Sequence, residues 1–122
     1  MEKRTPMPRV YIETSIASYL RQRRSGQVIA AARQLLTQQW WEEERCNYEL
    51  VTSQYVIDEA GDGDPQLAKA RLGVLEDVPL LLLGPEVDAI AKEIMARAIL
   101  PSKAQVDALH IAAAAHHRID YL

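Results

Sequence analysis

Three acidic side chains stand where this sequence could do chemistry. Glu13 immediately follows a short strand-like run, Arg9-Val10-Tyr11-Ile12. Glu59 lies on a helical segment leaving a second run, Leu50-Val51-Thr52. Asp107 lies near the start of a segment whose neighbours are Ala108, Leu109, Ile111 and the alanines 112–115. A helix apolar on nearly every side reads as buried, and an ionised carboxylate inside it is costly unless something compensates it. The pattern predicts Asp107 beyond the first turn, where capping does not explain it. It is then either a buried acid bonded to an arginine or to backbone amides, or a metal ligand. Glu13 alone also reads as a carboxylate favourably placed near a helix N-terminus. Asp58 and Glu59 are adjacent and point about 100° apart on a helix. Glu59 is one turn from Tyr55 and three residues from Val56, which puts it toward the packed side and makes it the third acid.

Three carboxylates around one pocket repel each other unless a cation joins them. Oxygen-only ligation suits Mg²⁺ or Mn²⁺. Such an ion lowers the pKa of bound water and stabilises charge on a phosphoryl group in transfer. Zinc is disfavoured by the single Cys46 and the lack of a paired histidine motif. His110, one turn from Asp107, reads either as a group supporting the site from behind or as an ordinary core or surface histidine. Five glycines form no phosphate-cradling loop or dinucleotide fingerprint, and no Gly-x-Ser-x-Gly elbow is present.

The elements that must position these acids alternate short apolar runs with helical segments, the pattern of a parallel α/β sheet. A strand over 9–12 leads into a helix through Leu20, capped by Thr14 or Ser15. A long helix is predicted from about Gly26 to Asn47, with Val28, Ala32, Leu35, Leu36 and Trp40 as its apolar stripe. Leu50–Thr52 is the second strand and Tyr55–Ala60 the helix leaving it, broken at Gly61-Asp62-Gly63. Asp64-Pro65 opens a helix to about Asp77. Leu80–Leu83 reads as a buried strand and Pro85 opens a helix ending near Leu100. Ser102 and Gln105 have capping-box spacing, and the helix they start runs to about Arg118. Asp120-Tyr121-Leu122 reads as the start of a fourth strand. In open sheets of this kind, ligands bind outside the carboxyl ends of the strands, the edge to which the three acids are delivered.

The 122 residues suit one domain, 1–122, and 48% apolar residues suffice for a core made aliphatic by the absence of Phe. No apolar run matches a membrane span, the polar segment Met1–Pro8 does not read as a secretory signal, and one cysteine fits a reducing, cytoplasmic setting. A formal charge of −3 argues against electrostatic coating of nucleic acid. It leaves open an enzyme that grips phosphate through metal. Arg21, Arg23 and Arg24 form the one local basic cluster, either a solvated loop or a phosphate- or partner-binding patch, and Glu42–Glu44 reads as a solvated face.

Val10-Tyr11-Ile12-Glu13-Thr14-Ser15 resembles the opening motif of PIN domains, with Glu13 where most members carry Asp and one branch carries Glu. Ser53-Gln54-Tyr55-Val56-Ile57-Asp58-Glu59 resembles their second motif, and Asp107-Ala108-Leu109-His110-Ile111-Ala112-Ala113-Ala114 their third. The order and spacing agree along essentially the whole chain. The resemblance implies a flavodoxin-like three-layer α/β/α sandwich with a parallel sheet. It implies Mg²⁺- or Mn²⁺-dependent hydrolysis of RNA phosphodiesters, with Glu13, Glu59 and Asp107 as catalytic metal ligands. Small stand-alone members of the VapC type are toxins of toxin–antitoxin pairs, so a homodimer and an antitoxin partner are implied as well. The family pattern continues beyond the equivalents of Tyr121-Leu122 with a Thr-x-Asp or Thr-x-Asn segment and a final helix, so a C-terminally incomplete domain is expected. The competing expectations are a catalytically weak PIN-like module that binds protein or RNA, and a phosphorylated receiver. The receiver is disfavoured by the lack of an acidic pair after the first strand and of a lysine near Asp120.

Overall fold

The structure is a computed structural model that describes residues 7–97 and 105–122. Its chain order is β1 (Arg9–Tyr11), α1 (Thr14–Arg21), α2 (Val28–Gln39), a π-helical turn (Trp40–Glu44), a 3-10 turn (Arg45–Asn47) and β2 (Glu49–Val51). These are followed by α3 (Gln54–Ala60), α4 (Pro65–Leu75), α5 (Pro85–Arg97) and α6 (Gln105–His116).

Helix dominates, and the expected three-layer α/β/α sandwich with a parallel sheet is not what the chain forms. Among the described residues the only strands are β1 and β2, three residues each, paired in parallel with Val10 opposite Leu50. Two single parallel bridges flank them, Thr52 with Leu80 and Val10 with Tyr121. The reason is visible in both runs read as further strands. Leu81 is buried but Leu80 and Leu82 are exposed, so 80–83 lacks the two-sided cover a central parallel strand needs. Only its first residue bridges, before Pro85 starts α5. The last run, Asp120–Leu122, makes one bridge through Tyr121.

Local signals set most helix ends. Asp64 Oδ1 accepts from the amides of Gln66 (2.9 Å) and Leu67 (3.1 Å), with Pro65 at the first helical position, an arrangement in which proline costs no hydrogen bond. Gly63, at φ 85, takes the left-handed turn before that cap. At the end of α6, Ile119 N bonds Ala114 O (2.9 Å) and Arg118 N bonds Ala115 O (3.2 Å). This is the Schellman closure, and it puts Arg118 at φ 53, where glycine is usual. The turn returns the chain to β1, where Arg9 N donates to Asp120 Oδ2 (2.8 Å) and Tyr11 N to Tyr121 O (2.8 Å). One local expectation differs. Neither Thr14 nor Ser15 caps α1; Glu13 holds the cap position and makes no side-chain cap bond. The expected end near Leu100 and the Ser102 cap lie outside the described residues.

The core joins Tyr11, Ile12 and Val51 to Ala17, Val56, Leu75, Val87 and the alanines of α6. Alanines lack bulk, so α6 comes close to α5, the most extensive helix pairing in the fold. Thr52, fully buried, closes the gap between the strands: its Oγ1 donates to Ile12 O (2.8 Å), its amide to Pro79 O and its carbonyl accepts from Leu81 N. The apolar stripe of α2 behaves otherwise than expected. Val28, Ala32, Leu35 and Leu36 are exposed, and the helix turns Gln34 inward. Gln34 accepts from Ser25 N (2.9 Å) and donates to Arg23 O (3.1 Å), pinning the loop that carries Arg23 and Arg24, both exposed.

Candidate active site

β1 and β2 run in parallel, so their carboxyl ends share one edge, and the residues just beyond them begin the site. Side chains alternate along an extended chain, so Tyr11 and Glu13 lie on the same side of it. Tyr11 is buried. Its hydroxyl lies 2.6 Å from Ser53 Oγ, which belongs to the residue beyond β2 that precedes α3, and 2.7 Å from His110 Nδ1 on α6. The other ring nitrogen, Nε2, is hydrogen-bonded to Glu59 Oε1 on α3. Four side chains from β1, α6, α3 and the junction that leads into α3 therefore meet in one polar chain: Ser53, Tyr11, His110, Glu59.

The imidazole has little freedom there. His110 is 3% exposed. Its ring lies edge-on to Tyr11 (centroids 5.6 Å apart) and to Tyr55 (6.1 Å). Such edge-to-face pairs add to the burial energy of aromatic groups. Burial pushes the Tyr11 hydroxyl up to about 12; the bond with Ser53 pulls the other way, and the Glu59 and Glu13 carboxylates and Tyr55 raise it further. Both acids thus act on the same buried hydroxyl. Tyr55 is raised as well, by burial first and then by Asp88, whose Oδ1 accepts its hydroxyl proton at 3.3 Å.

The three predicted acids are placed differently from one another. Glu59 takes the inner side of α3, whereas Asp58 is exposed and accepts from Gln54 Nε2 (2.9 Å). Glu13 is half-buried, accepts a hydrogen bond from Ser15 Oγ and forms the acidic wall of a cavity of about 460 Å³. That cavity is otherwise apolar, running past Ile16, Leu36, Trp40 and Tyr48 to Tyr121, and neither Glu59 nor Asp107 lines it. Asp107 departs furthest from its expectation: it is exposed and lies in the first turn of α6. A carboxylate there is favoured by the helix dipole, so the burial argument for a metal at Asp107 does not hold. What does bear on it is position. Residues three apart on a helix are neighbours on one side, so Asp107 stands a turn before His110 on α6, exposed to solvent.

Among the described residues no three carboxylate, imidazole or thiol groups are close enough together to hold a metal ion jointly. The donor chemistry of Glu13 and Glu59 still fits a hard dication, because Mg²⁺ characteristically keeps several waters and takes one or two protein carboxylates plus substrate phosphate. Among the described residues Glu59 Oε2 accepts no hydrogen bond. His116 and His117 stand apart from this cluster; His117 Nε2 donates to Leu82 O (2.6 Å).

Sequence reasoning missed Tyr11 and Ser53. A signal was present for each: Tyr11 precedes Glu13 by two residues and so shares its side of the chain, and Ser53 opens the motif that ends in Glu59. No family model, curated protein or solved structure matches the chain.

Proposed function

We propose that this chain belongs with PIN-type ribonucleases and hydrolyses RNA phosphodiesters with Mg²⁺ or Mn²⁺. The observation that carries this reading is Glu59, on α3, hydrogen-bonded to the same His110 that bonds the buried Tyr11 hydroxyl, with Glu13 two residues beyond Tyr11 at the strand end. Two anionic side chains held near one partly dry point favour a cation. When bound, the ion would supply water activation and charge stabilisation on the phosphoryl group. Glu13 and Glu59 would hold it through carboxylate oxygens. Asp107, exposed to solvent, would bind or orient water on the substrate side. RNA as substrate rests on the resemblance of the three motif strings, as do the toxin role, the antitoxin partner and the homodimer. The exposed thiol of Cys46 agrees with a reducing cytoplasm. Among the described residues no helix is long and apolar enough to cross a membrane.

The test is Mn²⁺- or Mg²⁺-dependent cleavage of single-stranded RNA by the chain and by E13Q, E59Q and D107N. Loss of about a hundredfold or more is expected for the two glutamates, the scale set by removing a single transition-state-stabilising group. The loss should be smaller for Asp107. Undiminished cleavage by the E13Q/E59Q double variant would sink the assignment.

A second reading, a PIN-like module that binds RNA or protein with little turnover, is favoured by one observation. Glu59 is already engaged by His110 and Asp107 is exposed, so the three acids are not gathered. Tight RNA binding without metal-dependent cleavage would select it.

A further inference from the structure

We infer that Ser53, Tyr11 and His110 form a one-way hydrogen-bond relay that positions the Glu59 carboxylate, presenting Oε2 for a cation while His110 holds Oε1. The cation part rests on the proposed function; the relay itself stands on the geometry.

The direction of every proton in the chain follows from donor and acceptor chemistry. A carboxylate only accepts, so the His110 Nε2 that meets Glu59 Oε1 carries a hydrogen. In a neutral imidazole the other nitrogen must then accept, and its partner at 2.7 Å is the Tyr11 hydroxyl. The phenol hydroxyl has one hydrogen, and with Nδ1 accepting it donates there. Its oxygen is left to accept from Ser53 Oγ at 2.6 Å. Each link fixes the next: Ser53 to Tyr11, Tyr11 to His110, His110 to Glu59. With the ring neutral, reversing one bond leaves a buried donor facing a donor or an acceptor facing an acceptor, whereas a doubly protonated ring reverses the two outer bonds together. Ser53 and His110 are almost entirely buried, so water is not at hand to repair such a mismatch.

This arrangement restrains a glutamate whose side chain is otherwise 39% exposed. With Oε1 tied to a ring clamped between two tyrosines, Glu59 loses the rotamer freedom an exposed glutamate has, so a ligand at Oε2 meets a preset oxygen. His110 is a positioning residue: it acts through Glu59 and touches neither ion nor substrate.

Two conservative variants separate positioning from mere support of the fold. A glutamine amide can place its nitrogen near the position of Nε2, whereas an asparagine amide reaches only the position of Nδ1. H110Q therefore keeps the bond to Glu59, and H110N keeps the contact with Tyr11 but drops Glu59. Outer partners of metal ligands typically contribute about 10- to 100-fold in affinity. Calorimetry with Mn²⁺ is expected to show weakening of about tenfold or more for H110N and for Y11F, and recovery to within about threefold of the parent for H110Q. Equal Mn²⁺ affinity in folded H110N and H110Q overturns the positioning role. The relay is read separately, without metal, from the imidazole ¹⁵N shifts of His110. The Nε2-protonated tautomer is expected; an Nδ1-protonated ring overturns the relay. A parent chain that binds no Mn²⁺ but shows the Nε2-protonated tautomer overturns the cation assignment and supports the relay.

Discussion

The interior around His110 and the outer side of α2 invert the usual division between polar and apolar residues. At the strand ends, a histidine, a tyrosine, a serine and a threonine lie almost wholly inside. On α2, Val28 is 84% exposed and Leu36 64%, while Gln34 lies inside. The difference is one of partners. Each of these four side chains has a bonded neighbour from another element, which removes most of the cost of leaving water. Gln34 follows the same rule through Ser25 and Arg23. Val28 and Leu35 are left to solvent, and Leu36 borders the cavity that Glu13 also lines. Hydrophobic spacing thus identified a stripe but not the side of the helix that packs.

This contrast can be broken at three residues. The largest effect is expected from Y11F, which leaves Ser53 Oγ and His110 Nδ1 without their shared partner. Each buried group stranded this way costs about 1–3 kcal/mol, measurable by urea unfolding. A loss below about 0.5 kcal/mol would mean that the relay contributes no stability. The same hydroxyl sets an alkaline limit. Unfolded tyrosine ionises near its ordinary 10.0 and Tyr11 near 12. Its folded value is the higher one, so its contribution is complete below pH 10 and is lost as pH rises through about 12. Y11F should flatten that part of the unfolding profile relative to the parent.

Q34L is expected to cost about 1–3 kcal/mol, despite being more apolar, because Ser25 N and Arg23 O lose their buried partner. Protease cleavage within 22–26 should then become faster. The smallest effect belongs to L36Q on the exposed side of α2, which should change stability by no more than about 0.5 kcal/mol. A larger loss would show that this side is covered in solution and that the contrast drawn here is incomplete.

Much of the local structure was legible in the residues. Asp64-Pro65, Pro85 and the Gly61–Gly63 break carry their own instructions, because caps and prolines act on backbone groups a few positions away. The choice of Glu59 over Asp58 for the inner side followed from its helical spacing to Tyr55 and Val56. Three readings failed for one physical reason: burial is not a property of a local string. The alanine-rich α6 is apolar enough to look buried all round, yet Asp107 and Ile111 are exposed on it. Leu80–Leu83 looks like an inner strand, yet only Leu81 has cover. Four residues of the α2 stripe, Val28, Ala32, Leu35 and Leu36, are exposed, whereas its last, Trp40, packs against the core.

By itself the sequence determined the two strands that form, the positions of the six helices though not the end of α2 at Gln39, and the candidate acids Glu13 and Glu59 beyond the strands. These follow from interactions between near neighbours in the chain. Only the tertiary structure decided that the strands remain a pair rather than a layered sheet, that Asp107 is exposed, and that Tyr11 and Ser53 reach His110. Tyr11 and His110 are separated by 99 positions in the chain. Their bond exists because β1 and α6 share one core, and no local pattern encodes a donor and an acceptor that meet only after folding.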